Sequence, residues 1–123
     1  MDLSIVIPMF NEAENVEATL GQVEKALASF QGTYEIIAVN DGSLDNTLKI
    51  LERVAAKNEK VRVVSYLKNF GRGMALRTGF KESKGEIVVS IDADLSYDPN
   101  YIVNFIKTLR TEQDIDFVLA SPY

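Results

Sequence analysis

Leu3-Ser4-Ile5-Val6-Ile7-Pro8-Met9-Phe10-Asn11-Glu12 begins as an apolar, β-branched run, breaks at a proline and ends in polar residues. A nearly continuous apolar run of this length suits a strand buried on both faces, as in a parallel sheet. Runs of the same kind recur at residues 34–40, 61–65, 86–91 and 117–121, and with residues 3–7 they make five predicted strands. Helical patterns lie between them. Val16, Leu20, Val23, Leu27 and Phe30 recur at steps of four and three, one face of a 3.6-residue period. Asn11 has the side chain of an N-cap, with Glu14 three residues on completing a box-like start. A second helix is predicted over about 45–57, with Leu48, Leu51, Val54 and Ala55 inward. A third, over about 73–83, carries the small residues Ala75 and Gly79 and should pack closely on the sheet. A fourth starts at Pro99, a favoured first-turn residue, and buries Ile102, Val103, Phe105, Ile106 and Leu109.

The alternation predicts an α/β fold: a doubly wound, mainly parallel sheet with helices on both faces, right-handed crossovers, and strand order 3-2-1-4 with the fifth strand beyond. The order reverses between strands 1 and 4. Ligands of open α/β sheets bind at such a switch point, outside the carboxyl ends of the strands. Residues 8–12, 40–45 and 92–98 converge there. A single domain over residues 1–123 is expected, cut just after its fifth strand.

Composition narrows the chemistry. The 123 residues are 46% apolar and 25% charged, as in ordinary globular domains. No apolar run approaches the roughly 18 residues that span a bilayer, and no signal-peptide pattern opens the chain. With no cysteine and no histidine, disulfides, thiolate chemistry, zinc sites and a histidine base are excluded. Carboxylates, hydroxyls, amides and basic side chains remain. A net charge of −5 argues against a nucleic-acid-binding face. A polyanionic small ligand would need a cation to bridge it to an acidic site.

Asp92-Ala93-Asp94 ends the fourth predicted strand, so both carboxylates point the same way, about 6–7 Å apart. Hard oxygen ligands so placed suit Mg²⁺ or Mn²⁺; the alternative is a pair of solvated or capping acids. Ser96, Asp98 and Asn100 extend the spacing toward a calcium loop. It fails the EF-hand pattern, with Tyr97 where glycine belongs and Val103 where the bidentate glutamate belongs, so Asp98 reads as the cap before Pro99. Asn40-Asp41-Gly42-Ser43 follows the second strand. Asp41 could accept a ring N–H of a nucleobase, but the local sequence alone favours a plain Asp-Gly turn. Asn69-Phe70-Gly71-Arg72-Gly73 is neither a dinucleotide fingerprint, since Leu76 stands where the third glycine belongs, nor a P-loop. Lys68, Arg72 and Arg77 could face a phosphate or lie in solvent.

Taken together and in order, residues 5–12, 39–47, Asn69-x-Gly71-x-x-x-Ala75-x-x-x-Gly79, Gly85-Glu86 and Asp92-Ala93-Asp94-Leu95 resemble the family 2 glycosyltransferases of GT-A fold. The similarity is greatest to the dolichol-phosphate mannosyltransferase and polyprenyl-phosphate sugar transferase branch, and it covers essentially the whole chain. It implies inverting transfer of a sugar from a GDP- or UDP-linked donor, with a polyprenyl or dolichyl phosphate as acceptor at the membrane. It implies that Pro8, Phe10 and Glu12 line the nucleotide pocket and that Asp41 meets the base. Asp92 and Asp94 would hold Mg²⁺ or Mn²⁺ and the diphosphate. Ser96 stands where the pattern has glutamine, and would reach the metal by its shorter side chain or through water. Asn40 replaces a frequent aspartate, and Pro122 an arginine. The family's acceptor site and catalytic carboxylate lie further along, so no catalytic base is assigned and these residues alone are expected to transfer little. The resemblance further implies a cytoplasmic protein or one at the cytoplasmic face of a membrane. An exposed fifth strand could pair across a homodimer. The competing readings are a nucleotide-binding or assembly module without turnover, and a nucleotidyltransferase. The latter is disfavoured because residues 8–12 are not a Gly-rich basic loop.

Overall fold

The computed structural model describes residues 1–28, 30–93 and 104, and the backbone of 117–119. Its elements follow the predicted alternation: β1 (Leu3–Met9), α1 (Val16–Ala26), β2 (Tyr34–Asp41), α2 (Thr47–Lys57), β3 (Val61–Tyr66), α3 (Arg72–Glu82), β4 (Ile87–Ser90) and β5 (Phe117–Leu119). The sheet runs β3-β2-β1-β4-β5 with every pairing parallel. The expected order and the reversal at β1/β4 are therefore both present. Of the fourth predicted helix only Asn104 is among the described residues; it is helical and exposed.

Successive side chains of a strand point to opposite faces, which divides the core in two. Leu3, Ile5, Ile7 and Met9 of β1 pack with Val16, Leu20 and Val23 of α1 and Leu51 of α2. Val6 faces the other way and packs with Ile37, Val39, Ala75 and Leu76, beneath α3. Burying each large side chain contributes about 1.5–3 kcal/mol, so these two layers, more than helix propensity, fix where the helices lie. The close packing expected of α3 is observed at Gly79, where a Cβ would fall 2.3 Å from Val6 Cγ1. Leu51 is fully buried, whereas Leu48, Val54 and Ala55 of the predicted inner face are only half-buried.

Two local expectations are corrected. The first helix does not begin at Asn11, nor does it reach Phe30: it starts at Val16 and ends at Ala26. Asn11 has a positive φ of 53°, and its side chain is engaged by another loop, while a turn closed on the Glu12 carbonyl by the Asn15 and Val16 amides leads into α1. Phe30 still packs on the core, edge-on to Tyr34. The second correction is that β1 runs through Pro8 to Met9 instead of stopping at Ile7. Proline lacks a ladder donor and is usually kept out of central strands. Here the β1–β4 ladder ends at the pairing of Val6 with Ser90, and the Ile91 amide reaches back to the Val6 carbonyl. Pro8 lies two residues beyond the last β1–β4 pair, so its missing N–H interrupts none of that ladder's pairings. The crevice between β1 and β4 opens at this residue.

Candidate functional site

The loops after β1 and β2 are joined at the carboxyl edge of the sheet. Asn11 N–H donates to Ser43 Oγ (3.0 Å), and Leu44 N–H donates to Asn11 Oδ1 (2.9 Å). Glu12 N–H donates to Thr47 Oγ1 (2.9 Å), and Ala13 N–H to Asp45 Oδ2 (3.2 Å). Asp45 Oδ1 accepts from both the amide and the hydroxyl of Thr47. Desolvation by its neighbours pushes the exposed Asp45 carboxyl up, but the hydrogen bonds from Thr47 and Ala13 outweigh it and hold the group below the usual carboxylate range. Residues 10–12 are thereby held against the end of β2. Phe10 is exposed, and Pro8 and Glu12 are half-buried, with Glu12 Oε2 accepting from Asn15 Nδ2.

Asn40 and Asp41 are both buried. Asn40 Nδ2 donates to Ser65 Oγ while its Oδ1 accepts the Ser43 amide, a pair of roles that an aspartate carboxylate could not fill. The Asp41 carboxylate accepts from Phe70 N–H at Oδ1 and from Gly71 N–H and Asn69 Nδ2 at Oδ2, each at 2.9 Å. Asn69 Nδ2 also reaches the Asp41 carbonyl. Burial and the neighbouring Asp41 carboxylate push the Tyr66 phenol above its ordinary value. Gly42, at φ 63°, lies against the backbone of Lys68 and Asn69. The Asp-Gly pair is therefore more than the plain turn that its local sequence favours: it clasps the loop between β3 and α3.

That loop delivers Arg72 to the end of β4. Its Nε (3.0 Å) and Nη2 (2.7 Å) both donate to Asp92 Oδ1. Thr19 of α1 donates to the Ala93 carbonyl (2.8 Å), pinning the same strand end from the other face. All three candidate phosphate-facing cations are exposed, and Arg72 is the one whose side chain is held on Asp92. Asp94, Ser96, Asp98, Asn100 and Pro122 lie outside the described residues, and among the described residues no three acidic groups cluster around a common point. Asp92, a hard oxygen donor already engaged by a cationic side chain, fits a divalent cation as far as one ligand can.

A separate pocket of about 510 Å³ opens at the opposite pole, lined in part by Thr33, Glu35, Lys60, Arg62 and Lys84. Its buried Glu35 accepts from Ser4 Oγ and the Lys84 amide and pairs with Arg62. These partners tie the amino ends of β1, β2, β3 and β4 together, a structural role.

The site thus gathers Pro8, Phe10, Glu12, Asp41 and Asp92 at one edge, on loops held by Asn11, Ser43, Asp45, Thr47, Asn69 and Thr19. Sequence reasoning assigned no holding role to this last group. The available signal was the density of short hydroxyl, amide and carboxylate side chains directly after apolar strands.

The family model for glycosyl transferase family 2 matches residues 4–123. The chain belongs to glycosyltransferase family 2. Its family relatives include an uncharacterised glycosyltransferase of Synechocystis, 41% identical over 115 residues, 94% of this chain and 36% of that protein. A dolichol-phosphate mannosyltransferase of Pyrococcus furiosus is 35% identical over 115 residues, 94% of this chain and 32% of that protein. This family 2 chain therefore spans about a third of the length of the curated relatives it matches. Among solved structures it is similar to a mannosyltransferase of Pyrobaculum calidifontis in complex with GDP-Man and Mn²⁺, with TM-score 0.75 and 27% identity over 87% of this chain and 32% of that one. The GT-A glycosyltransferase fold expected from the sequence is borne out. No helix among the described residues is long and apolar enough to cross a membrane.

Proposed function

We propose that this chain binds the nucleotide diphosphate sugar donor, GDP- or UDP-linked, of a family 2 glycosyltransferase whose acceptor is a polyprenyl or dolichyl phosphate at a membrane surface. The observation that carries this reading is the single strap of residues 69–72, which joins buried Asp41 to Asp92 across the switch point. A donor laid there would meet residues 8–12 on one side, with its base near Asp41 and its diphosphate near Asp92 and Arg72. The Pyrococcus mannosyltransferase and the Pyrobaculum complex support the same choice of ligand class.

Asp92 and Asp94, with Ser96 directly or through water, would hold Mg²⁺ or Mn²⁺. Bound there, the cation would stabilise the charge that develops on the departing nucleoside diphosphate. The protein's own part is to place the strand end, through Thr19 and Arg72, and to fix the loop beside the base, through Asp41. A lipid phosphate acceptor is already anionic at neutral pH and needs little help from a general base. For these 123 residues alone we infer donor binding with little or no transfer.

Calorimetric titration with GDP-mannose and with UDP-sugars, with and without Mn²⁺, tests the reading. Binding that requires Mn²⁺ and is lost in Asp94→Ala supports it. Failure to bind any nucleotide would favour an assembly module instead.

A further inference from the structure

Arg72 is a cation poorly matched to its own helix. It is the first residue of α3, whose first turn has no acidic residue and whose N-cap, Gly71, offers no side chain. A helix N-terminus already carries about half a positive charge, so a guanidinium there needs an anion. Asp92 supplies it: two N–H groups of Arg72 converge on the one oxygen Oδ1. The placement is enforced, because the three residues before Arg72 are all tied to the Asp41 carboxylate.

We propose that Arg72 is a built-in counter-ion of Asp92, which a divalent cation must displace and which a nucleotide diphosphate then receives. The proposal rests on the reading that Asp92 holds the metal. A divalent cation arriving alone displaces the guanidinium and leaves it, with the positive end of α3, facing a second positive charge. Arriving with a nucleotide diphosphate, it leaves the guanidinium a phosphate to bind. Metal and nucleotide therefore bind with positive coupling, each tightening the other by the same factor. The pair is partly exposed, with side-chain accessibilities of 52% for Arg72 and 23% for Asp92, so the effect is modest. Release of such a pair corresponds to about two- to five-fold in metal affinity.

The test is a Mn²⁺ titration, followed by the paramagnetic resonance of free Mn²⁺, without nucleotide and with GDP or UDP, corrected for the metal–nucleotide complex in solution. Wild type, Arg72→Met, Arg72→Lys and Asp92→Asn are compared, with thermal melts to confirm folding. Arg72→Met should bind Mn²⁺ alone about two- to five-fold more tightly and lose the tightening that nucleotide gives the wild type; Arg72→Lys should fall between. If Asp92→Asn loses Mn²⁺ while Arg72→Met binds it no better than wild type, the counter-ion role is overturned and the metal reading stands. If Asp92→Asn binds Mn²⁺ as wild type does, the metal reading fails and the proposal with it. Should Arg72→Met fail to fold, Arg72→Lys decides, since an unchanged affinity there also overturns the proposal.

Discussion

Gly42 and Asn69 touch through their backbones: a Cβ on Gly42 would lie 2.3 Å from the Asn69 nitrogen. No neighbouring side chain can swing away to relieve such a contact, because the atoms in the way are main chain. The φ of 63° at Gly42 adds a second penalty for any L-residue. Gly42→Ala should therefore cost about 2–4 kcal/mol, combining overpacking with left-handed strain. Urea denaturation would read this directly, and wild-type stability in the variant would mean that the two loops do not meet.

Asp41→Asn keeps the shape of the side chain but presents one acceptor oxygen where two are in use. Either the Phe70 or the Gly71 amide then faces an NH₂ group, at a cost of about 1–3 kcal/mol. The local signature is hydrogen exchange. Whichever of the Phe70 and Gly71 amides loses its acceptor should exchange on the order of ten-fold faster, while the core amides of β1 slow or quicken only with global stability.

Thr19→Val leaves the buried Ala93 carbonyl without the hydroxyl that it accepts from. We expect a loss of about 1–2 kcal/mol in stability, and weaker Mn²⁺-dependent nucleotide binding, because the end of β4 loses its anchor. Thr19→Ser, which restores the hydroxyl, should recover most of the binding; equal loss in both variants would show that the methyl group and not the hydrogen bond matters.

The Asp45 carboxyl is held below its ordinary value of 3.8. A depressed carboxyl contributes stability that is fully present above the unfolded value and fades as pH falls through the folded one. The melting temperatures of wild type and Asp45→Asn should therefore differ at neutral pH and converge as pH falls below about 3.8. A gap that persists at pH 2 would assign the difference to shape and not to charge.

Much of this architecture was legible without coordinates. The apolar runs of β1, β2 and β3 gave their own strand starts at Leu3, Tyr34 and Val61, and the Val16, Leu20, Val23 periodicity marked the buried face of α1. Boundaries were less legible where backbone chemistry and tertiary context disagreed. Pro8 looked like a strand terminator because its missing donor is a local fact, whereas the end of the β4 ladder that makes it harmless is not. Asn11 looked like a helix cap for the same reason: its side chain suits an N-cap, but Leu44, 33 residues away, competes for it and wins.

The sequence by itself determined the strand set, because hydrophobic periodicity is a property of short stretches of chain; the handedness of crossovers then led to the parallel β3-β2-β1-β4 order, and the order and spacing of the loop motifs to the family. Only the tertiary structure decided what the polar residues at the strand ends do. Asp41 reads as a turn residue until the loop 28–30 residues further on folds over it, and Arg72 reads as a surface charge until that loop carries it to Asp92, 20 residues away. A hydrogen bond of this kind selects its partner by position in space. That choice is fixed only after β1, β2 and β4 have been laid side by side.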